Sequence, residues 1–120
     1  MNIKKVLVLF IILVFSLKIY SHSPTKIEMD FNIEDKILNV EVHHPVLAQR
    51  NHYIEKIEVY LNDKPIIVQN FNAQIEKKTQ KAVYFIFEAK KDDIIKVKAF
   101  CNKHGDKTVS LVVQEKNNKE

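Results

Sequence analysis

Beyond residue 21 the chain is predicted to fold as an all-β antiparallel sandwich of about seven strands, and three features predict it. Apolar runs of strand length recur with polar turns between them, several alternate apolar and polar residues one by one, and none sustains a helical apolar period. Turns at this spacing suggest an immunoglobulin-like topology, in which two sheets pack face to face.

The strand runs are Lys26 to Phe31, Ile37 to His43, Tyr53 to Leu61, Pro65 to Phe71, Ala82 to Phe87, Ile94 to Cys101 and Thr108 to Val113. Turn chemistry separates them at Asn32 to Lys36, Asn62-Asp63-Lys64, Lys90 to Asp93 and Asn102 to Asp106. Because side chains alternate across a strand, Leu38, Val40, Val42 and His44 share one face, and Ile95, Val97, Ala99 and Cys101 share another. His44 and Cys101 therefore extend core-facing rows. His43 falls on the opposite parity and reads as a surface histidine. Ile54 is out of phase with Ile57, Val59 and Leu61, which a bulge near Glu55 explains.

The first 21 residues are built differently. Lys4 and Lys5 precede an uncharged run from Val6 to Leu17, and Ser21 is a small residue suited to the position before a cleavage site. The run is shorter than the roughly 20 apolar residues of a membrane helix. Residues 1–21 are thus expected to be a signal peptide, with a β-sandwich domain over 22–113, a polar tail over 114–120 and no membrane span after cleavage. A retained anchor is the alternative. The expected compartment is periplasmic or extracellular.

Without Lys4, Lys5 and Lys18, 16 basic side chains face 15 acidic ones, so the charge falls from +4 to about +1. That balance offers no basic face for nucleic acid. A chain this small is compatible with a homo-oligomer. Cys101 is the only cysteine, so no internal disulfide can staple the fold, and an exported lone thiol must be ligated, modified or buried.

Three stretches at strand ends hold that cysteine and four of the five histidines: His43-His44-Pro45, His52-Tyr53-Ile54 and Cys101-Asn102-Lys103-His104-Gly105. A cysteine and a histidine three residues apart in a tight turn can present sulfur and nitrogen to one ion. Gly105, the only glycine, stands where that turn needs positive φ or a close backbone approach. A thiolate with imidazoles suits zinc, iron or copper, and the chemistry alone ranks a closed tetrahedral zinc site first.

These stretches, in order, resemble the iron domain of the desulfoferrodoxin and superoxide reductase family. That domain carries a His-Pro, then His-Tyr-Ile-Glu-x-Ile-Glu, then Cys-Asn-x-His-Gly. Here they read His44-Pro45, His52-Tyr53-Ile54-Glu55-Lys56-Ile57-Glu58 and Cys101-Asn102-Lys103-His104-Gly105, and the resemblance spans roughly Ile37 to Ser110. It implies a mononuclear, non-haem ferrous ion held by equatorial imidazoles from His44, His52 and His104 and an axial thiolate from Cys101. It also implies an open position for superoxide, reduction of superoxide to hydrogen peroxide, and an unknown electron donor as partner. Hydrogen bonds from the backbone of Lys103 and His104 would tune the sulfur.

The sequence departs from the family pattern in several places. The usual Glu-Lys-His-Val-Pro loop is replaced by Ser21-His22-Ser23-Pro24, which makes His22 the candidate fourth imidazole without the lysine that attracts superoxide. The interval from His44 to His52 is longer than usual and contains Arg50; Lys56 stands where tryptophan is common. Lys103 and Arg50 are solvated cations and the candidates for the missing lysine's catalytic task. Tyr53 is expected to pack in the core. Two alternatives to the oxidoreductase stay open: a non-enzymatic protein binding iron, copper or zinc, and an interaction module similar to the sulfur-carrier partner domain of thiosulfate oxidation.

Overall fold

The computed structural model describes residues 22–116. The signal peptide expected over 1–21 and the last four residues of the tail lie outside them. Seven strands form: β1 (Lys26–Asn32), β2 (Ile37–His43), β3 (Ile54–Leu61), β4 (Lys64–Asn70), β5 (Thr79–Phe85), β6 (Ile94–Cys101) and β7 (Asp106–Val112). They make two antiparallel sheets, β1-β2-β5 and β4-β3-β6-β7, the sandwich the strand pattern predicts. Among the described residues no helix is long and apolar enough to cross a membrane.

The alternating rows carry the packing. Leu38, Val40 and Val42 of one sheet are buried with Ile57, Val59, Ile95, Val97 and Ala99 of the other in a single core cluster. Each of the leucine, valine and isoleucine side chains contributes about 1.5–3 kcal/mol when removed from water. The outer positions between them, Asn39, Glu41, Lys96 and Lys98, stay at least partly in solvent.

Turns fall at the expected places. Asn62 and Asp63 both take positive φ in the two-residue β3–β4 hairpin, as a primed turn requires. The register of β3 against β6 slips between Ile54 and Lys56, so Glu55 is the extra residue of a bulge. This shift returns Ile54 to the interior beside Ile57 and corrects the expectation for Tyr53, which is only half-buried and outside the core cluster.

β5 begins three residues earlier than its apolar pattern suggests. Thr79 and Gln80 are buried and pair with His43 and Val42, because the ladder to β2 rewards extended backbone whatever the side chain. Phe85 ends the strand and Phe87 lies beyond it, both exposed.

The strand directions decide where the chemistry gathers. β2 and β6 finish, and β1, β3, β5 and β7 begin, at one end of the sandwich, where β4 also finishes. Residues 22–25 and the connections 44–53, 71–78 and 102–105 therefore meet there.

Candidate metal centre

His44 follows β2 directly and keeps the parity of its core-facing row, so its ring enters the end of the sandwich fully buried. Its backbone N–H donates to Lys78 O at 2.8 Å, which extends the β2–β5 pairing by one rung. His52 ends a tight turn in which its own N–H donates to Ala48 O at 2.9 Å. Cys101 closes β6, is 5% exposed, and is the free thiol of the chain.

The three side chains converge. The ring centroids of His44 and His52 are 4.7 Å apart and nearly perpendicular, and His52 Nε2 lies 3.1 Å from Cys101 Sγ. Ligand atoms of His44, His52 and Cys101 all lie within 4.8 Å of one another. The backbone N–H of Lys103 points at the same sulfur from 3.4 Å.

Asn102 binds the two loops that carry this trio. Its side-chain oxygen accepts from Tyr53 N–H at 2.9 Å, its side-chain amide donates to Asn51 O at 3.0 Å, and its backbone N–H donates to Tyr53 O at 3.0 Å. Cys101 N–H donates to Gly105 O at 3.0 Å, which closes the turn. Gly105 has φ +80°, and a Cβ there would lie 1.9 Å from Ser23 Oγ. Its missing side chain is the seat on which the N-terminal segment rests.

That seat sets His22 beside the trio. Its ring centroid is 5.2 Å from that of His44 and 5.4 Å from that of His52. His104 is exposed on the 102–105 turn and does not join the group whose ligand atoms converge. Lys103 and Arg50 are both exposed. His43 is directed to the outer face, where it lies near Glu28 and Glu41 and its side chain is one-third exposed.

The donor set suits a metal ion on two grounds. First, His44 Nε2 is buried and has no hydrogen-bond partner among the described residues, an expensive arrangement unless something else uses its lone pair. Second, nitrogen and sulfur donors at about 2.1 and 2.3 Å from one ion are separated by about 3.1 Å when they subtend a right angle and about 3.6 Å when tetrahedral. The His52–Cys101 separation of 3.1 Å, a hydrogen bond in the metal-free protein, falls within the range that two donors to one ion span. Burial holds His44 below the ordinary imidazole pKa; Gln74 opposes the shift, the charge of His22 reinforces it, and the backbone of His22 opposes it. His52 is lowered too, by burial first and then by His44, His22 and Lys103. Both rings are therefore biased toward the neutral form that ligates metal.

Sequence reasoning missed one residue of this site. Gln74, on the 71–78 connection, is 2% exposed, and its Oε1 lies 2.9 Å from His44 Nδ1. It belongs to none of the three motif stretches, and no periodicity marks it.

The desulfoferrodoxin family model matches residues 16–108. No curated protein sequence matches the chain. Among solved structures, the fold is similar to that of a superoxide reductase (1Fe-SOR) from Giardia intestinalis, with 17% identity, a TM-score of 0.61, and 77% of this chain and 100% of that one covered. It is also similar to a superoxide reductase (neelaredoxin) from Ignicoccus hospitalis, with 21% identity, a TM-score of 0.51, and 79% of this chain and 81% of that one covered. Identities this low speak to shared fold, whereas the family match spans most of the sequence and contains His22, His44, His52, Cys101 and His104, so this chain belongs to the desulfoferrodoxin family.

Proposed function

We propose that this protein is an exported, periplasmic or extracellular, mononuclear iron protein that reduces superoxide to hydrogen peroxide. The observation that carries the reading is the convergence of the His44 and His52 rings on the Cys101 thiol at the loop-rich end of a superoxide reductase fold. The ligands are Cys101, His44 and His52 with His22 beside them; His104, exposed on the adjacent turn, would have to swing inward to supply the remaining imidazole of the family pattern. When bound, a ferrous ion supplies the one electron that, with two protons, converts superoxide to hydrogen peroxide.

The chain's own residues do the rest. Lys103 N–H stabilises negative charge on the sulfur from 3.4 Å, which tunes how readily the centre gives up an electron. Burial of His44 and Cys101 keeps solvent off the inner side of the site. Lys103 is the cation best situated to draw in the anion, since its charge already acts on His52, and Arg50 is the second. Re-reduction falls to an electron donor outside the chain. Iron, rather than zinc or copper, is the ion the family match favours.

The test is anaerobic loading with ferrous ion followed by pulse radiolysis of wild type and Cys101→Ser. The wild type is expected to oxidise in a second-order reaction with superoxide and then to show a thiolate-to-iron absorption band that the variant lacks. Stable iron binding without that reaction would refute the enzymatic reading and leave a metal-binding domain.

A further inference from the structure

The Gln74 side chain makes four hydrogen bonds, which use every donor and acceptor of its amide group. Its nitrogen donates to His44 O at 2.7 Å and to Glu76 O at 2.9 Å. Its oxygen faces His44 Nδ1 at 2.9 Å and accepts from Ile54 N–H at 3.3 Å. Amide orientation is often ambiguous. Here it is over-determined, because the reversed amide would set its oxygen against two carbonyl oxygens and its NH2 against the Ile54 N–H. The atom facing His44 Nδ1 is therefore an acceptor, and Nδ1 must carry a proton.

A neutral imidazole with its proton on Nδ1 has its lone pair on Nε2. That is the buried nitrogen without a hydrogen-bond partner among the described residues. The scaffold behind Gln74 is itself braced. Gln49 donates from its side chain to Gln74 O at 2.9 Å and Ile75 O at 2.7 Å, and Gln74 N–H donates to Gln49 O at 3.0 Å. The connection carrying His52 and the connection carrying Gln74 are thereby locked together.

We propose that Gln74 is a positioning residue that locks His44 in the Nδ1–H tautomer and so commits His44 to bind metal through Nε2. This rests on the metal-binding part of the function proposed above, though not on its superoxide chemistry. Metal-ligating histidines commonly donate their second N–H to a carboxylate, a backbone carbonyl or water. A neutral side-chain amide fills that role here and adds no negative charge to the ligand.

The test has two arms, neither requiring superoxide. In metal-free wild-type protein, long-range proton–nitrogen correlation of labelled histidines should show His44 with its proton on Nδ1 and an unprotonated Nε2. Cobalt(II) titration, followed by thiolate and d–d absorption, should then show Gln74→Leu binding about 10–100-fold more weakly, the usual effect of losing such a partner. Gln74→Glu keeps an acceptor for Nδ1 but sets its second oxygen against the His44 and Glu76 carbonyls, so it should lower the stability of the fold and still leave the folded protein with His44 protonated on Nδ1. A wild-type His44 protonated on Nε2, or a folded Gln74→Leu that binds cobalt as wild type does, would overturn the proposal. If Gln74→Leu does not fold, the wild-type tautomer and Gln74→Glu decide. A protein that passes these tests yet ignores superoxide refutes the enzymatic reading alone.

Discussion

Replacing Gly105 by alanine should separate two roles of that residue. The backbone role is intrinsic: at φ +80° an L side chain is disfavoured by about 1–2 kcal/mol. Alanine's lower unfolded-state entropy returns about 0.4–1 kcal/mol of this where the native backbone suits it, and little here. The second role is steric. A Cβ would lie 1.9 Å from Ser23 Oγ, which rotation of the hydroxyl can relieve, but also 3.0 Å from Ser23 Cβ and 3.3 Å from its Cα, which rotation cannot. Ser23 must move, and His22 moves with it. Urea unfolding of metal-free Gly105→Ala should show a loss of about 1–2 kcal/mol. Cobalt(II) affinity should fall about tenfold, equivalent to about 1.4 kcal/mol, to the level of His22→Ala. Adding Ser23→Gly removes the Oγ and Cβ contacts and leaves the 3.3 Å approach to Cα, so it should restore most of the affinity and leave the backbone loss in place. Wild-type stability and affinity in Gly105→Ala would refute the reasoning, and so would a Ser23→Gly background that restores no affinity.

Three further outcomes follow from the geometry. Metal-free protein should lose stability as pH falls below about 6.5, because His44 and His52 are held below that value when folded and the unfolded chain takes up the protons first; urea midpoints that stay flat from pH 7 to 5 would contradict it. Asn102→Ala removes the bonds to Tyr53 N–H and Asn51 O and should destabilise the fold by about 1–3 kcal/mol while weakening metal binding, read by urea unfolding and cobalt titration. Tyr84 is 8% exposed, burial drives its phenol pKa far upward, and its hydroxyl has no partner among the described residues, so Tyr84→Phe should be neutral or stabilising by up to about 1 kcal/mol in thermal unfolding; a clear loss would mean the hydroxyl is satisfied after all.

The strands and the direction of the site residues were legible because side-chain alternation is a local property. Leu38, Val40 and Val42 pass their parity to His44, and Ile95, Val97 and Ala99 pass theirs to Cys101; both are buried as expected. Even the bulge at Glu55 showed as a slip of phase. Tyr53 was misread because the same bulge hands the interior to Ile54, and the start of β5 was missed because Thr79 and Gln80 earn burial from ladder pairing rather than hydrophobicity.

What the sequence alone determined was a set of faces: which side chains of each strand point inward, and which motif residues stand at strand ends. Which ends meet is a matter of topology, because strand directions bring residues 22–25, 44–53, 71–78 and 102–105 to one end of the sandwich. Gln74, the Asn102 staple and the seat of Ser23 on Gly105 belong to that second level. A hydrogen bond or a close approach between residues 30, 49 or 82 positions apart leaves no period in either segment, so only the folded chain decides it.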